Sequence, residues 1–189
     1  MIVTGQGPAR KLQSAPSLAR VSVACLRGES SHVVCAKLTA VRLDFWFDLS
    51  CPYAYLASQR LGEVLSGRPV DLRYRPMLLG GVFREIGAGD GPMATLSDAK
   101  RANLARDLAR WAAVAGVPLE TPAAHPMRTV RALRTLLGLP EPSWPAATHA
   151  LFAAYWQRGE DITQDEVIAA ALTGAGVPAT AVRRRHHAG

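Results

Sequence analysis

The sequence has no run near the roughly eighteen consecutive apolar residues that a membrane-spanning helix needs, so no transmembrane helix is expected. Its three cysteines are too few, and odd in number, for a disulfide scaffold. There is no Cys-x-x-Cys: three positions after Cys51 stands Ala54, so an intramolecular dithiol cycle is excluded. His149, His186 and His187 stand at no recognised metal-ligand spacing from Cys51. Gly80, Gly81, Gly87 and Gly89 lack the strand–GxGxxG–helix context of a phosphate cradle and read as a flexible turn. No internal repeat is present. What remains is 189 residues, 49% hydrophobic and 20% charged, which is one ordinary domain with a soluble globular core.

A net charge of +7 invites a nucleic-acid or membrane-surface reading, but its distribution removes the invitation. Residues 1–40 carry Arg10, Lys11, Arg20, Arg27 and Lys37 against Glu29 alone, and Arg183, Arg184 and Arg185 supply the rest. Between them, residues 41–182 hold 14 basic and 14 acidic side chains. The arginine run has no interleaved aromatics, so a solvated basic tail over 183–189 is expected, with no nucleic-acid and no membrane partner.

Residues 1–40 are rich in Ser, Ala, Val and Gly, without a clean period. A basic, acid-poor segment admits a transit-peptide reading, while Val21–Leu26 is too short for a signal-peptide core. Pattern begins abruptly at Val41, and the segment before it is expected to be a disordered or non-native extension. Leu43–Phe47 reads as a strand, and Pro52 suits a first helical position. Tyr53, Ala57, Leu61 and Val64 recur at helical spacing, and Gly67 ends that helix. Val70, Leu72 and Tyr74 alternate with charged residues, as in a half-buried strand. The three elements form a βαβ unit over 41–76, with parallel strands and a right-handed crossover.

A Gly-rich connector over 77–94 precedes a helical region over 95–178. There Leu104, Leu108, Trp111 and Ala115 share one face of a helix stopped by Gly116. Val130, Leu133 and Leu137 share a face of a second, ending near Gly138, and Pro145 to about Gln157 is a third. Thr163 and Glu166 have the spacing of a capping box opening a fourth, which ends near Gly176.

Cys51 falls between the C-terminal end of a strand and the N-terminus of a helix. The helix end presents free N–H groups and partial positive charge, which favour thiolate over thiol. The C-terminal ends of parallel strands are also where α/β sheets bind ligands. Position alone leaves a reactive thiol and a merely packed one both open. A lone thiolate can attack, form a mixed disulfide, or hydrogen-bond a thiol cofactor. Cys25 and Cys35, in the unpatterned segment, are read as incidental.

The stretch Phe45-Trp46-Phe47-Asp48-Leu49-Ser50-Cys51-Pro52-Tyr53-Ala54-Tyr55-Leu56-Ala57 resembles the opening of the 2-hydroxychromene-2-carboxylate isomerase and kappa-class glutathione transferase group, within the DsbA-like branch of the thioredoxin superfamily. The resemblance continues in Arg75–Phe83, Asp107–Trp111, Gly116-Val117-Pro118, and His125-Pro126 through Ala132-Leu133-Arg134. It implies an α/β, DsbA-like thioredoxin fold with a large helical insertion over 95–178, mostly helical around a two-strand parallel βαβ unit. It implies glutathione bound beside the first helix, with Cys51 at the position of the family's catalytic Ser. A Cys there would hold the glutathione sulfur as a weaker S–H donor, or would itself be thiolated. Ser50, Pro52, Tyr53 and Leu79 stand where the family lines its cofactor and substrate pocket. Asp48 is assigned to structure at the strand end.

The family carries a second thioredoxin half after its insertion: two strands, a closing helix and a cis-proline loop. Val177-Pro178 closes a helix, with no strand sequence following. The expectation is a C-terminally truncated chain, with a frameshift near residue 180 as one origin, leaving unpaired strand edges and an exposed apolar sheet face. Two functional readings follow. One is a cytoplasmic, glutathione-dependent isomerase or thiol transferase acting on a small aromatic-derived substrate through Cys51, with a homodimer as a possible state. The other is a non-catalytic remnant that is inactive or only binds thiols.

Overall fold

In the computed structural model of the chain, the structure describes residues 40–178 apart from Asp90. Cys25, Cys35, the Arg183–Arg185 run, His186 and His187 lie outside the described residues. The elements run β1 (Val41–Phe47), α1 (Pro52–Leu65), β2 (Val70–Pro76), α2 (Leu79–Glu85), α3 (Asp98–Ala115), α4 (Val130–Leu137), α5 (Trp144–Trp156) and α6 (Asp165–Gly174). Single 3-10 turns, Pro92–Thr95 and Glu141–Ser143, precede α3 and α5. β1 and β2 are parallel, in register from Val41 opposite Val70 to Phe47 opposite Pro76. The βαβ unit is as expected, with β1 starting two residues before Leu43 and β2 ending at Pro76.

The two sheet faces differ. Phe45, Phe47 and Tyr74 form an aromatic cluster on one face, and Phe47 continues it to Phe152 of α5, centroids 5.7 Å apart. Period-two alternation turns Arg42, Asp44, Asp71, Arg73 and Arg75 to the other face. There Asp44 accepts from Arg42 at 2.9 Å and Arg75 at 2.7 Å, and Asp71 pairs with Arg73 at 2.9 Å. This face is charged, with Trp46 as its one apolar residue; the other face is apolar and, as expected, partly exposed, at Val41 and Leu43, while Phe47 is buried.

α5 is the axis of the core. It buries Trp144, Ala147, Leu151, Phe152, Ala154, Tyr155 and Trp156, nearly all round its circumference. A helix apolar on every side must be covered on every side, and α1, α4 and α6 pack around it. Burying such apolar surface contributes about 25 cal/mol per Å² removed from water.

Several expected details are corrected. α1 turns Ala54, Tyr55, Leu56 and Ser58 inward, and leaves Tyr53, Ala57 and Val64 exposed. The reason lies in the bulkiest side chain: Tyr55 is fully buried between Phe152 and Trp156, with its hydroxyl donating to Pro118 O at 2.8 Å. Ser58 satisfies its own hydroxyl on Tyr55 O at 2.6 Å. On α3, Trp111 is 45% exposed and Ala112 is the buried residue. On α4, Leu136 is buried in place of Leu137.

The Gly-rich connector is not a plain turn, because residues 79–85 form α2. Gly80 and Gly81 lie inside that helix, whose first N–H is fixed by a buried carboxylate described below. Gly91 has φ +92°, and a Cβ there would stand 2.6 Å from the Phe83 ring. The capping box does not form. Thr163 gives both its N–H and its hydroxyl to Asp161 Oδ1, at 2.9 and 2.7 Å, and α6 opens at Asp165 instead.

Candidate functional site

The junction from β1 to α1 is a four-residue turn held from three sides. Cys51 N donates to Asp48 O at 3.0 Å and closes it. Leu49 is fully buried, and its carbonyl accepts from Trp156 Nε1 at 2.9 Å, which ties the turn to α5. Asp48 is 3% exposed and accepts four hydrogen bonds. Its Oδ1 takes Ser50 N at 3.0 Å, Ser50 Oγ at 3.1 Å and Thr129 Oγ1 at 2.8 Å. Its Oδ2 takes Leu79 N at 2.7 Å. Leu79 opens α2 and Thr129 immediately precedes α4, so one carboxylate gathers the starts of two helices and the turn that carries Cys51. A buried charge persists only where hydrogen bonds replace its water.

Cys51 is the N-cap residue of α1, with extended backbone angles, φ −90° and ψ 112°. It is half-buried and packs against the core. Its carbonyl accepts from Tyr55 N at 3.1 Å, which starts the helix. α1 has no side-chain cap, and Pro52 at the first helical position brings no N–H. The first-turn donors left over are the N–H groups of Tyr53 and Ala54, to which the Cys51 side chain makes no cap hydrogen bond.

Tyr53 reaches across to α3, where its hydroxyl donates to Asp107 Oδ2 at 2.7 Å. Its phenol is pushed up to about 12, first by burial of the hydroxyl end, then by the Asp107 hydrogen bond and charge, and last by the nearby Cys51. The proton of Tyr53 is committed to Asp107, so its remaining lone pairs only accept. An open groove of about 460 Å³ runs between these elements, lined by Tyr53, Leu96, Ala99, Lys100, Asn103, Leu104 and Asp107.

The structure therefore brings Cys51, Pro52 and Tyr53 to one helix end, as the sequence implies. Ser50 and Leu79 meet at Asp48, and the polar groups they offer there, the Ser50 N–H and hydroxyl and the Leu79 N–H, are spent on that carboxylate. Thr129 and Asp107 are hydrogen-bond neighbours of the candidate site that the sequence does not single out as site residues. Thr129 gives no local signal, because its partner lies 81 residues away. His125 Nδ1 meets the Tyr155 hydroxyl at 2.8 Å and its ring centroid lies 5.2 Å from that of Trp156, while His149 lies 3.3 Å from both Gln59 Nε2 and the Tyr74 hydroxyl. Among the described residues, no group of three or more His, Cys, Asp or Glu side chains is placed to hold a metal ion, and no helix is long and apolar enough to cross a membrane.

Three comparisons bear on this geometry. The DSBA-like thioredoxin domain family matches residues 42–187. The chain is 31% identical over 145 residues to glutathione S-transferase kappa 1 of Caenorhabditis elegans, covering 72% of this chain and 63% of that protein. It is 34% identical over 123 residues to 2-hydroxychromene-2-carboxylate isomerase of Pseudomonas putida, covering 65% of this chain and 59% of that protein. The chain thus spans about three fifths of the length of these curated relatives. A solved 2-hydroxychromene-2-carboxylate isomerase superposes with a TM-score of 0.64 at 29% identity, covering 75% of this chain and 69% of that one.

Proposed function

The chain belongs to the DSBA-like thioredoxin domain family, and on that premise we propose that it is a glutathione-dependent isomerase or thiol transferase working through Cys51 in the cytoplasm. The observation that carries the reading is Cys51 at the uncapped N-terminus of α1, two residues before Tyr53, which lines the open groove; Cys51, Ser50, Pro52 and Leu79 are not among the residues that line it. The named relatives, a kappa-class glutathione transferase and a 2-hydroxychromene-2-carboxylate isomerase, support glutathione as the thiol and a small aromatic-derived compound as the substrate.

The residues present fit a thiol ligand. The N–H groups of Tyr53 and Ala54, the helix dipole and the Cys51 S–H all favour an anionic sulfur placed at the start of α1. Glutathione, when bound, supplies the thiolate that adds to an unsaturated carbon of the substrate and leaves again after bond rotation. Cys51 would donate its S–H to that sulfur and hold it at the helix end; alternatively the Cys51 thiolate would attack a disulfide substrate, forming a mixed disulfide and releasing the other half as a thiol, and glutathione would then displace Cys51, which gives thiol transfer. Tyr53, its proton given to Asp107, offers an acceptor to an N–H or O–H of the ligand. Leu96, Ala99 and Leu104 provide the apolar wall against which a ring would lie. Asp48 acts by position, since it fixes the turn that aims the sulfur. Ser50, Pro52 and Leu79 frame the same turn, and their contribution to ligand binding is through backbone shape.

The test uses thiol alkylation of the full chain with Cys25 and Cys35 replaced by Ser. One equivalent of label is expected, lost on Cys51→Ala and slowed by millimolar glutathione sulfonate, whose oxidised sulfur does not consume the alkylating reagent. Labelling that glutathione sulfonate leaves unchanged would contradict the reading, because a bound tripeptide with an anionic sulfur group must cover this sulfur.

A further inference from the structure

The turn that carries Cys51 is anchored on the core at two points. Its Leu49 carbonyl accepts from Trp156 Nε1 at 2.9 Å, and its Asp48 carboxylate accepts from Thr129 Oγ1 at 2.8 Å. His125, half-buried in the segment before α4, stands behind both anchors. Its ring centroid lies 5.2 Å from that of Trp156 and 6.0 Å from that of Tyr155. Its Nδ1 is 2.8 Å from the Tyr155 hydroxyl, and the same hydroxyl oxygen accepts from Met127 N at 3.1 Å. Tyr155 thus holds both ends of the segment His125–Met127, just before Thr129.

The direction of each hydrogen bond in this bridge follows from the groups that meet there. Tyr155 is fully buried. Burial holds its phenol above the ordinary value of 10, with the Met127 hydrogen bond opposing and the charge of Asp48 adding. The hydroxyl therefore keeps its proton, and a buried O–H needs an acceptor. Met127 is a donor, so among the described residues the acceptor within reach is His125 Nδ1. His125 then presents a bare Nδ1 and carries its own proton on Nε2. Burial also keeps the imidazole below its ordinary 6.5, in agreement with a neutral ring.

We propose that His125 is a positioning residue for the Cys51 sulfur: its bare Nδ1 takes the Tyr155 proton and so fixes the segment that delivers Thr129 to Asp48, while its ring backs the indole that holds Leu49. The assignment rests on the reading of Cys51 as the working sulfur. His125 does not line the groove, so it acts on the sulfur through the turn alone. Supporting groups of this kind set how well a reactive side chain is aimed. The two arms can be separated chemically. Phe keeps a ring against Trp156 but offers Tyr155 no acceptor. Asn loses the ring but carries its oxygen on Cγ, as His carries Nδ1, and so still accepts from Tyr155.

The rate of Cys51 alkylation tests this in the full chain with Cys25 and Cys35 replaced by Ser, with circular dichroism to verify the fold of each variant. At about pH 7.5, where the imidazole is neutral, His125→Phe is expected to slow the reaction about two- to ten-fold, the size of one lost hydrogen bond. His125→Asn should recover most of that loss. Tyr155→Phe should slow the reaction to a similar degree, and adding His125→Phe should slow it no further, because the two substitutions remove one shared contact. Nitrogen NMR of the chain with His125 in place should show the Nε2–H tautomer, a readout that depends on no variant folding. An unchanged or faster rate in His125→Phe overturns the proposal. So does a His125→Asn protein no better than His125→Phe, or an Nδ1–H tautomer. If the substitutions act as expected while glutathione sulfonate fails to protect Cys51, the glutathione reading falls and the assignment of His125 stands.

Discussion

Replacing Asp48 with Asn changes one atom and should unsettle the whole site. The carboxylate serves three donors through Oδ1 and one through Oδ2, from Ser50, Thr129 and Leu79. An amide of the same shape has only one oxygen. If that oxygen takes the Oδ1 position, the amide nitrogen faces the Leu79 N–H; if it takes the Oδ2 position, the nitrogen faces the Ser50 N–H. The hydroxyls of Ser50 and Thr129 can rotate and accept, but a backbone N–H cannot. Either orientation leaves one buried donor opposed to another donor, at a cost of about 1–3 kcal/mol. The loss of charge from the remaining bonds adds to this, for a total of about 2–4 kcal/mol. Thr129→Val, which removes one donor and keeps the volume, should cost about 1–2 kcal/mol. The double variant should cost less than the sum, because the two substitutions remove one shared contact. Urea unfolding followed by tryptophan fluorescence reads these differences as shifts in midpoint at constant slope. An Asp48→Asn protein within about 0.5 kcal/mol of wild type would refute the role given to this carboxylate.

Other expectations follow from buried groups and from one glycine. His125 and His149 are both held below the ordinary imidazole value of 6.5 by burial. The unfolded chain then binds more protons than the folded one as pH falls through 6.5, so stability is full above that value and lost progressively below it. Thermal unfolding should show this decline between about pH 7 and pH 5, and His149→Gln should flatten it; an equal slope in the variant would exclude His149 as a source. Gly91→Ala forces a Cβ into the Phe83 ring at a backbone angle that disfavours side chains, and should lower stability by about 1–3 kcal/mol in the same urea assay. A neutral result would mean that Phe83 is free to move away.

Much of the fold is legible in the sequence, for physical reasons that differ by element. β1 announces itself by a short aromatic run, β2 by alternation, and α3 by Gly116 at its end in the left-handed region, φ +66°. Cys51 and Pro52 mark the start of α1 because proline fits only there in a helix. Helix faces were harder to read. In α1 the spacing of Tyr53, Ala57, Leu61 and Val64 is as regular as that of the buried residues, and only the long-range contacts of Tyr55 with Phe152, Trp156 and Pro118 decide which face turns inward. α2 is hidden by its glycines, since the group that orders its first turn is Asp48, 31 residues earlier in the chain. Asp161 overrides the Thr163 cap in the same way, by offering a nearer acceptor. At the site, Cys51 and Tyr53 are visible from local sequence. Asp107 and Thr129 are not, because each acquires its meaning from a partner more than fifty residues away.

The central claim is that the start of α1 receives the sulfur of glutathione beside Cys51. Isothermal titration of the full chain with glutathione, up to millimolar concentration, tests it most directly. Saturable heat is expected, reduced when S-methylglutathione replaces glutathione, because the methyl group removes the anionic sulfur that the Tyr53 and Ala54 N–H groups and Cys51 would hold. No heat at millimolar glutathione, or equal binding of the two ligands, would contradict it.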